Sequence, residues 1–220
     1  LATVGTLIFF VASFLSLHAL RSKMKYEIWY AIHITIYLGI LMTFLHQVKT
    51  GNDFIHNFWF TAFWYGLYIL AFVVWLRYRI LHPVILAYKY RFRVESVMAM
   101  AAHTYSIRLV GRNVSQFEFE PGQYATWRFL AKGLWYEAHP FSISSPQGAN
   151  YVQFTVKASP MLTEKIANVQ PGTYVIVDGP RGSFTSERAD ETSKVVLIAG
   201  GIGVAPYLSM IGDFLRKGKD

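Results

Sequence analysis

The chain has 220 residues, 53% hydrophobic and only 15% charged, with a formal net charge of +8 and no cysteine. Soluble domains average about a quarter charged residues, so this chain is unusually apolar. The missing cysteine excludes disulfides, thiolate metal sites and cysteine-ligated iron–sulfur clusters, and leaves histidine or carboxylate as the only metal ligands.

The apolar excess lies in the first third. Leu1–Leu20, Ile28–Val48 and Phe58–Leu76 are nearly uncharged runs of about 20 residues, enough at ~1.5 Å per residue to cross a hydrocarbon core of roughly 30 Å. They predict three transmembrane helices over residues 1–80, with membrane lipid as a partner. Basic residues cluster in Arg21-Ser22-Lys23-Met24-Lys25, Arg77-Tyr78-Arg79 and Lys89-Tyr90-Arg91-Phe92-Arg93, whereas the loop after the second run holds only Lys49, Asp53 and His56. Basic loops stay cytoplasmic, which predicts a multi-pass cell-membrane protein whose later domains are cytoplasmic. The positive charge then faces the anionic inner leaflet and needs no nucleic acid to explain it.

His33 and His46 fall in the second run, 13 residues and about 20 Å apart along a helix axis. Imidazole inside a membrane segment is uncommon and usually functional, and an axial histidine pair is a common way to hold haem iron. At about 100° per residue the two side chains differ by roughly 220°, so an ideal helix does not put them on one face. A π-bulge near Gly39 would reduce the difference to about 40°.

Residues 81–91 read as a linker in which His82-Pro83 ends the third helix or starts a new one. From Phe92 the pattern has period two. Arg93–Ala99, Thr104–Val110, Tyr124–Phe129, Pro140–Ser144, Tyr151–Ala158 and Thr173–Asp178 predict strands of a small antiparallel β-barrel over residues 92–190. One helix interrupts them, Leu162–Val169, with a threonine, Thr163, able to cap its start. After the turn at Gly179-Pro180-Arg181-Gly182, the apolar run Val195–Ala199 predicts a buried parallel strand, and Pro206–Arg216 predicts the helix that opens an α/β domain over residues 191–220. A chain that opens inside an apolar run and stops soon after this turn is expected to be a fragment of a longer protein.

Two stretches carry the chemistry. In Gly200-Gly201-Ile202-Gly203-Val204-Ala205-Pro206, Gly200, Gly201 and Gly203 let backbone approach phosphates, and the amides of the helix begun at Pro206 face an anion, as a dinucleotide requires. In His139-Pro140-Phe141-Ser142-Ile143-Ser144-Ser145, Ser142, Ser144 and the His139-Pro140 backbone can supply the hydroxyls and donors that an isoalloxazine ring and its linker need.

This second string resembles the flavin-binding strand of the NADPH oxidase and ferric reductase group within the ferredoxin-reductase superfamily, and Val195–Pro206 resembles that superfamily's nicotinamide-dinucleotide turn. Pro121-Gly122-Gln123-Tyr124 is similar to the turn before the strand that supports the flavin, which brings Gln123 and Tyr124 into the cofactor site. Lys157 with Thr163 resembles the pyrophosphate site; a charge on a solvated face is the other reading of Lys157. Asp178–Gly182 resembles the domain-closing glycine turn, although the family often has an aromatic where this chain has Arg181 or Gly182-Ser183-Phe184. Tyr26–His33 together with His46 resembles the fifth membrane helix of the superfamily, whose two histidines ligate two stacked b-type haems. In the family the opposite ligands come from a helix that would precede Leu1.

The resemblance, to prokaryotic NADPH oxidases in particular, implies a flavoprotein oxidoreductase. Electrons would pass from cytoplasmic NADPH or NADH through FAD and two b-type haems to extracellular oxygen, giving superoxide. A ferric-chelate reductase with the same wiring, and a haem-free membrane-anchored flavin reductase, are the alternatives. His18, His56, His82 and His103 have no counterpart in the family and read as interfacial or solvated; His56, in the outer loop, suits a proton donor.

Overall fold

Helix α1 (Ala2–Leu15) and helix α3 (Tyr26–Thr50) pack together through two glycines. A Cβ on Gly39 would stand 3.2 Å from Ile8 Cγ2, and one on Gly5 only 2.7 Å from Thr43 Cγ2, so the backbones approach as closely as they do only because neither position has a side chain. This computed structural model describes residues 1–24, 26–157, 160–186, 195–216 and 218; side chains at 19, 26, 27, 53, 55, 160, 161, 163 and 164 fall outside that description. The chain forms two units, Leu1–Val74 and Trp75–Asp220.

In the first unit, the expected span Leu1–Leu20 is divided. The Ser16 hydroxyl donates to Ala12 O at 2.7 Å, and the backbone leaves the helix at Leu17, where ψ is 137°, so α1 stops at Leu15 before the short α2 (His18–Arg21). Helix α3 is regular from Tyr26 to Thr50, so the π-bulge expected near Gly39 is not there; Gly39 serves the contact with α1 instead. After α4 (Asn52–His56) comes α5 (Phe58–Leu76). Ile28–Thr50 and the continuous helical run Phe58–Tyr90 are each long and apolar enough to cross a membrane by length and composition, whereas α1 has 14 residues.

The π-helical turn lies elsewhere, at Arg77–Leu81, directly before α6 (His82–Tyr90). Pro83 sits in the first turn of α6, where a missing backbone N–H breaks no bond, so residues expected to form a linker are helical. The path ends at Arg91, in the left-handed region at φ 46°.

The rest of the second unit is built on two three-stranded antiparallel sheets. One has the order β1 (Arg93–Ala101), β2 (Thr104–Val110), β5 (Val152–Lys157); the other β4 (His139–Ser142), β3 (Tyr124–Phe129), β6 (Val175–Arg181). The sheets do not close into one continuous ladder as a barrel would; they meet at isolated bridges, Ile143 with Phe154 and Arg93 with Tyr174. Strand β3 alternates cleanly, with Ala125, Trp127 and Phe129 fully buried and Tyr124, Thr126 and Arg128 turned outward. The inward set joins Phe92, Phe117, Ile107 and Phe154 in one core, where Trp127 stacks on Phe154 at 4.9 Å and Phe154 on Phe141 at 5.4 Å.

Helix α7 (Pro160–Ala167) starts earlier than expected, with proline at its first position, so Thr163 lies inside the helix and not at its cap; its side chain is outside the described residues, as is Ala158. The expected strand Val195–Ala199 is not paired into a sheet, and Val196 and Ile198 are 80% and 84% exposed. A run of β-prone residues becomes a strand only where a neighbour supplies the ladder, and among the described residues none does. The glycine turn Gly201–Val204 and α8 (Ala205–Arg216) follow.

Phe154 sits at the centre of the aromatic stack. Phe154→Ala should therefore cost about 3–5 kcal/mol, read as a lower urea midpoint followed by tryptophan fluorescence. A loss below about 1 kcal/mol would show that this stack is not the core of the unit.

Candidate flavin and dinucleotide site

Strand β4 is the edge of its sheet, and its pairing with β3 sorts its side chains into two sets. Trp127 opposes His139 and Ala125 opposes Phe141, which turns His139 and Phe141 toward the interior; Thr126 opposes Pro140 and Tyr124 opposes Ser142, which turns that pair outward. Ring contacts agree, since His139 stacks on Phe141 at 5.7 Å with 10° between planes. The outward row continues across the sheet, because a register shift in the pairing of β3 with β6 brings Arg181 opposite Tyr124. Ser142, Tyr124 and Arg181 thus line one face, with Tyr124 37% exposed.

Ile143 is fully buried and contributes backbone only, its N–H donating to Gln123 O at 3.0 Å. Gln123 also donates from Nε2 to Gly182 O at 3.2 Å, which ties the turn before β3 to the turn after β6. A Cβ on Gly182 would come within 3.3 Å of the Tyr124 ring. Ser144 is buried and its hydroxyl, like that of Ser106 on β2, has no partner among the described residues, whereas buried hydroxyls in proteins are usually satisfied. Such a group just beyond the end of this strand fits a bound ligand carrying polar atoms, and on this observation the residues present suit FAD.

The charges beside β4 were not legible in the motif. Glu137, two residues before His139 and so on its side of the chain, lies 3.1 Å from His139 Nε2 through Oε2, and its Oε1 accepts a hydrogen bond from Lys165 Nζ on α7. Burial pushes the Glu137 carboxyl up, but the hydrogen bond and charge of Lys165, joined by those of His139, outweigh it and hold the group below its ordinary 4.5. The hydrogen bond to Glu137 raises the Lys165 ammonium above 10.5. An open groove of about 420 Å³ adjoins the pair, lined in part by Lys132, Lys165, Asn168 and Gln170. Lys157 is exposed at the end of β5. On β6, Asp178 accepts from Arg181 Nη2 at 2.8 Å and lies 4.0 Å from His82 Nδ1 on α6.

At the glycine turn, a Cβ on Gly200, Gly201 or Gly203 would meet nothing within 4 Å, so the face of the turn is open, as a phosphate-binding backbone must be. Gly201 has φ 55°, and the Gly203 N–H donates to Gly200 O at 3.1 Å. Pro206 lies in the first turn of α8. The turn packs beside β5.

In the other unit, His33 and His46 are both exposed on a regular helix and do not share a face. His33 stacks on Trp29 at 4.9 Å, and Arg21 lies over the same indole at 4.4 Å. His46 Nε2 is 3.1 Å from the Thr50 hydroxyl, which donates to His46 O at 2.8 Å. Each imidazole could offer a ring nitrogen to a metal ion. Among the described residues no group of three metal-ligating side chains assembles around either.

Residues 90–185 match the family described as FAD-binding domain. Over 127 residues the chain is 32% identical to the ferredoxin–NAD(P)+ reductase component of the naphthalene 1,2-dioxygenase system of Pseudomonas putida, covering 56% of this chain and 37% of that protein. It is 33% identical over 108 residues to an NADPH oxidoreductase of Mycobacterium tuberculosis, covering 46% and 28%. The chain spans about a third of the length of the curated relatives it matches. Among solved structures, the flavohem-like FAD/NAD binding domain of nitric oxide dioxygenase from Vibrio cholerae aligns over 59% of both chains with a TM-score of 0.51 and 23% identity, which places the fold. Residues 90–185 are thus similar to the FAD-binding domain family and share the fold of a flavohem-like FAD/NAD binding domain.

The Glu137–Lys165 pair sets a pH dependence whose sign follows from the two shifts. A carboxyl held low stabilises the fold above its ordinary value and loses that contribution as pH falls through its folded value; an ammonium held high stabilises below its ordinary value and loses the contribution as pH rises through its folded value. The stability difference between the wild type and Glu137→Gln, about 1 kcal/mol for a pair a quarter exposed, should therefore be constant from about pH 5.5 to 9.5 and shrink as pH falls below 4.5. Thermal melts across pH test this; a difference that persists undiminished at pH 3 contradicts the pairing.

Proposed function

We propose, from the premise that residues 90–185 form a flavin domain, that this chain takes hydride from NADPH or NADH at its glycine turn into FAD held along β4. Electrons then pass singly to two b-type haems at His33 and His46 and across a cell membrane to oxygen, giving superoxide. The observation that carries the reading is adjacency: the glycine turn packs beside β5, and β5 bridges the residue just after β4, Phe154 to Ile143. A single strand thus separates a dinucleotide-type turn from the flavin strand.

When bound, FAD takes two electrons together as hydride and gives them up one at a time, which suits one-electron haem acceptors. The chain's own residues bind and orient. Ser142 and Tyr124 offer a hydroxyl and a ring on one face, the buried Ser144 hydroxyl gains a partner, and Lys157 with the basic groove at Lys132 and Lys165 supplies positive charge for the dinucleotide's phosphates. His139, held by Glu137, anchors the end of the strand nearest α7. The arginines and lysines of residues 77–93 favour an anionic inner leaflet at about 1 kcal/mol each, which supports a cytoplasmic flavin domain.

In sealed vesicles of the full-length protein with NADPH presented to the flavin side, superoxide should be trapped on the opposite side and vanish without oxygen. His33→Leu and His46→Leu should each remove one haem from the reduced-minus-oxidised spectrum while flavin reduction persists. Superoxide trapped only on the nucleotide side, or a full haem complement in either variant, contradicts the reading; fast Fe(III)-chelate reduction with negligible superoxide assigns the ferric reductase function instead.

A further inference from the structure

Helix α8 follows the glycine turn, and the chain holds it against the flavin domain at two places. The first is buried. The Gly122 N–H donates to Ser209 Oγ at 2.9 Å, and Ser209 Oγ donates in turn to Pro206 O at 2.8 Å. Ser209 is fully buried, and beside it Met210 is 3% exposed. Gly122 has φ 104°, and a Cβ there would stand 2.2 Å from Phe184 O and 2.4 Å from Met210 Cε, so backbone and helix meet where only glycine fits. The second place is at the rim. Arg216 Nη1 donates to Gln147 O at 2.6 Å, and a Cβ on Gly212 would lie 3.2 Å from Pro146 Cβ.

These two contacts frame the flavin strand. Gly122 lies in the turn that enters β3, two residues before Tyr124, and Pro146-Gln147 lies just beyond the end of β4 at Ser142. The helix they clamp carries the dinucleotide turn at its N-terminal end, where Pro206 itself receives the Ser209 hydroxyl. A buried serine that both accepts from the flavin side and donates to the first turn of α8 fixes one to the other by two hydrogen bonds with a shared oxygen. We propose that Ser209 is a positioning residue for hydride transfer: it sets the distance between the nicotinamide turn and the flavin strand without touching either cofactor. The inference rests on the proposed NAD(P)H-to-FAD reading and adds the residue that aligns its two halves.

Hydride transfer is steeply sensitive to donor–acceptor distance, and a misplacement near 1 Å can cost about a hundredfold. In the FAD-loaded full-length protein, Ser209→Ala should lower the limiting rate of anaerobic flavin reduction by NADPH about tenfold or more, measured by stopped flow at the flavin band. FAD content and the flavin reduction potential should be unchanged, and the isotope effect with NADPH deuterated at C4 should rise toward its full value as the transfer step becomes limiting. A purely structural serine would lower the melting temperature and leave the limiting rate and isotope effect alone. Gly212→Ala, whose added Cβ would press on Pro146 Cβ at 3.2 Å, probes the same clamp without disturbing the Arg216–Asp213 pair if Ser209→Ala does not fold, and should slow reduction about threefold by loosening one of two contacts. Limiting rates within twofold of wild type in every variant that folds overturn the positioning role. A wild-type flavin that neither NADPH nor NADH reduces overturns the functional reading, and the positioning role with it.

Discussion

The second unit depends on the pairing of one strand. β3 lies between β4 and β6, and its inward residues Ala125, Trp127 and Phe129 are wholly buried, so a slip of one residue would expel the core and bury Tyr124, Thr126 and Arg128. That register is what sets Ser142 beside Tyr124 on the outer face and His139 beside Trp127 on the inner one. The turn that enters the same strand carries Gly122 and Gln123, which bond to Ser209 on α8 and to the turn after β6. Flavin strand, glycine turn and domain-closing turn are therefore all referenced to β3.

The helical unit works by a different rule. Its apolar side chains largely face outward, and what packing it has between α1 and α3 comes from glycines, a form of contact suited to helices that gain nothing by hiding apolar surface from one another. In the proposed reading that outward surface meets lipid. His33 and His46 lie on different faces of an unbroken α3, without the bulge near Gly39 that would align them.

Much of this was legible in residue order, and the misses have physical causes. β2 and β3 run as their alternation predicts because one face of each is buried, and alternation records burial. β6 continues to Arg181 through Gly179-Pro180, residues that read as a turn but here sit in a sheet whose register shift accommodates them. The first apolar run was long enough for a span, yet the backbone leaves the helix at Leu17, where ψ is 137°. Val195–Ala199 reads as a buried strand by composition, but pairing belongs to the partners, and a run of apolar residues does not reveal whether they are present. The contacts hardest to foresee were the polar ones: Glu137 with Lys165 and Gly122 with Ser209 join residues far apart in sequence, and no local periodicity encodes them. Only the placement of Glu137 two residues before His139 offered a signal.

The claim that FAD lies along β4 and the turn entering β3 is tested most directly by hydrogen exchange on the apoprotein before and after FAD is added. The account predicts added protection at residues 122–126 and 139–144 and in α7, with the β1–β2 hairpin unchanged. Protection confined to other segments, or none on saturation with FAD, would contradict it.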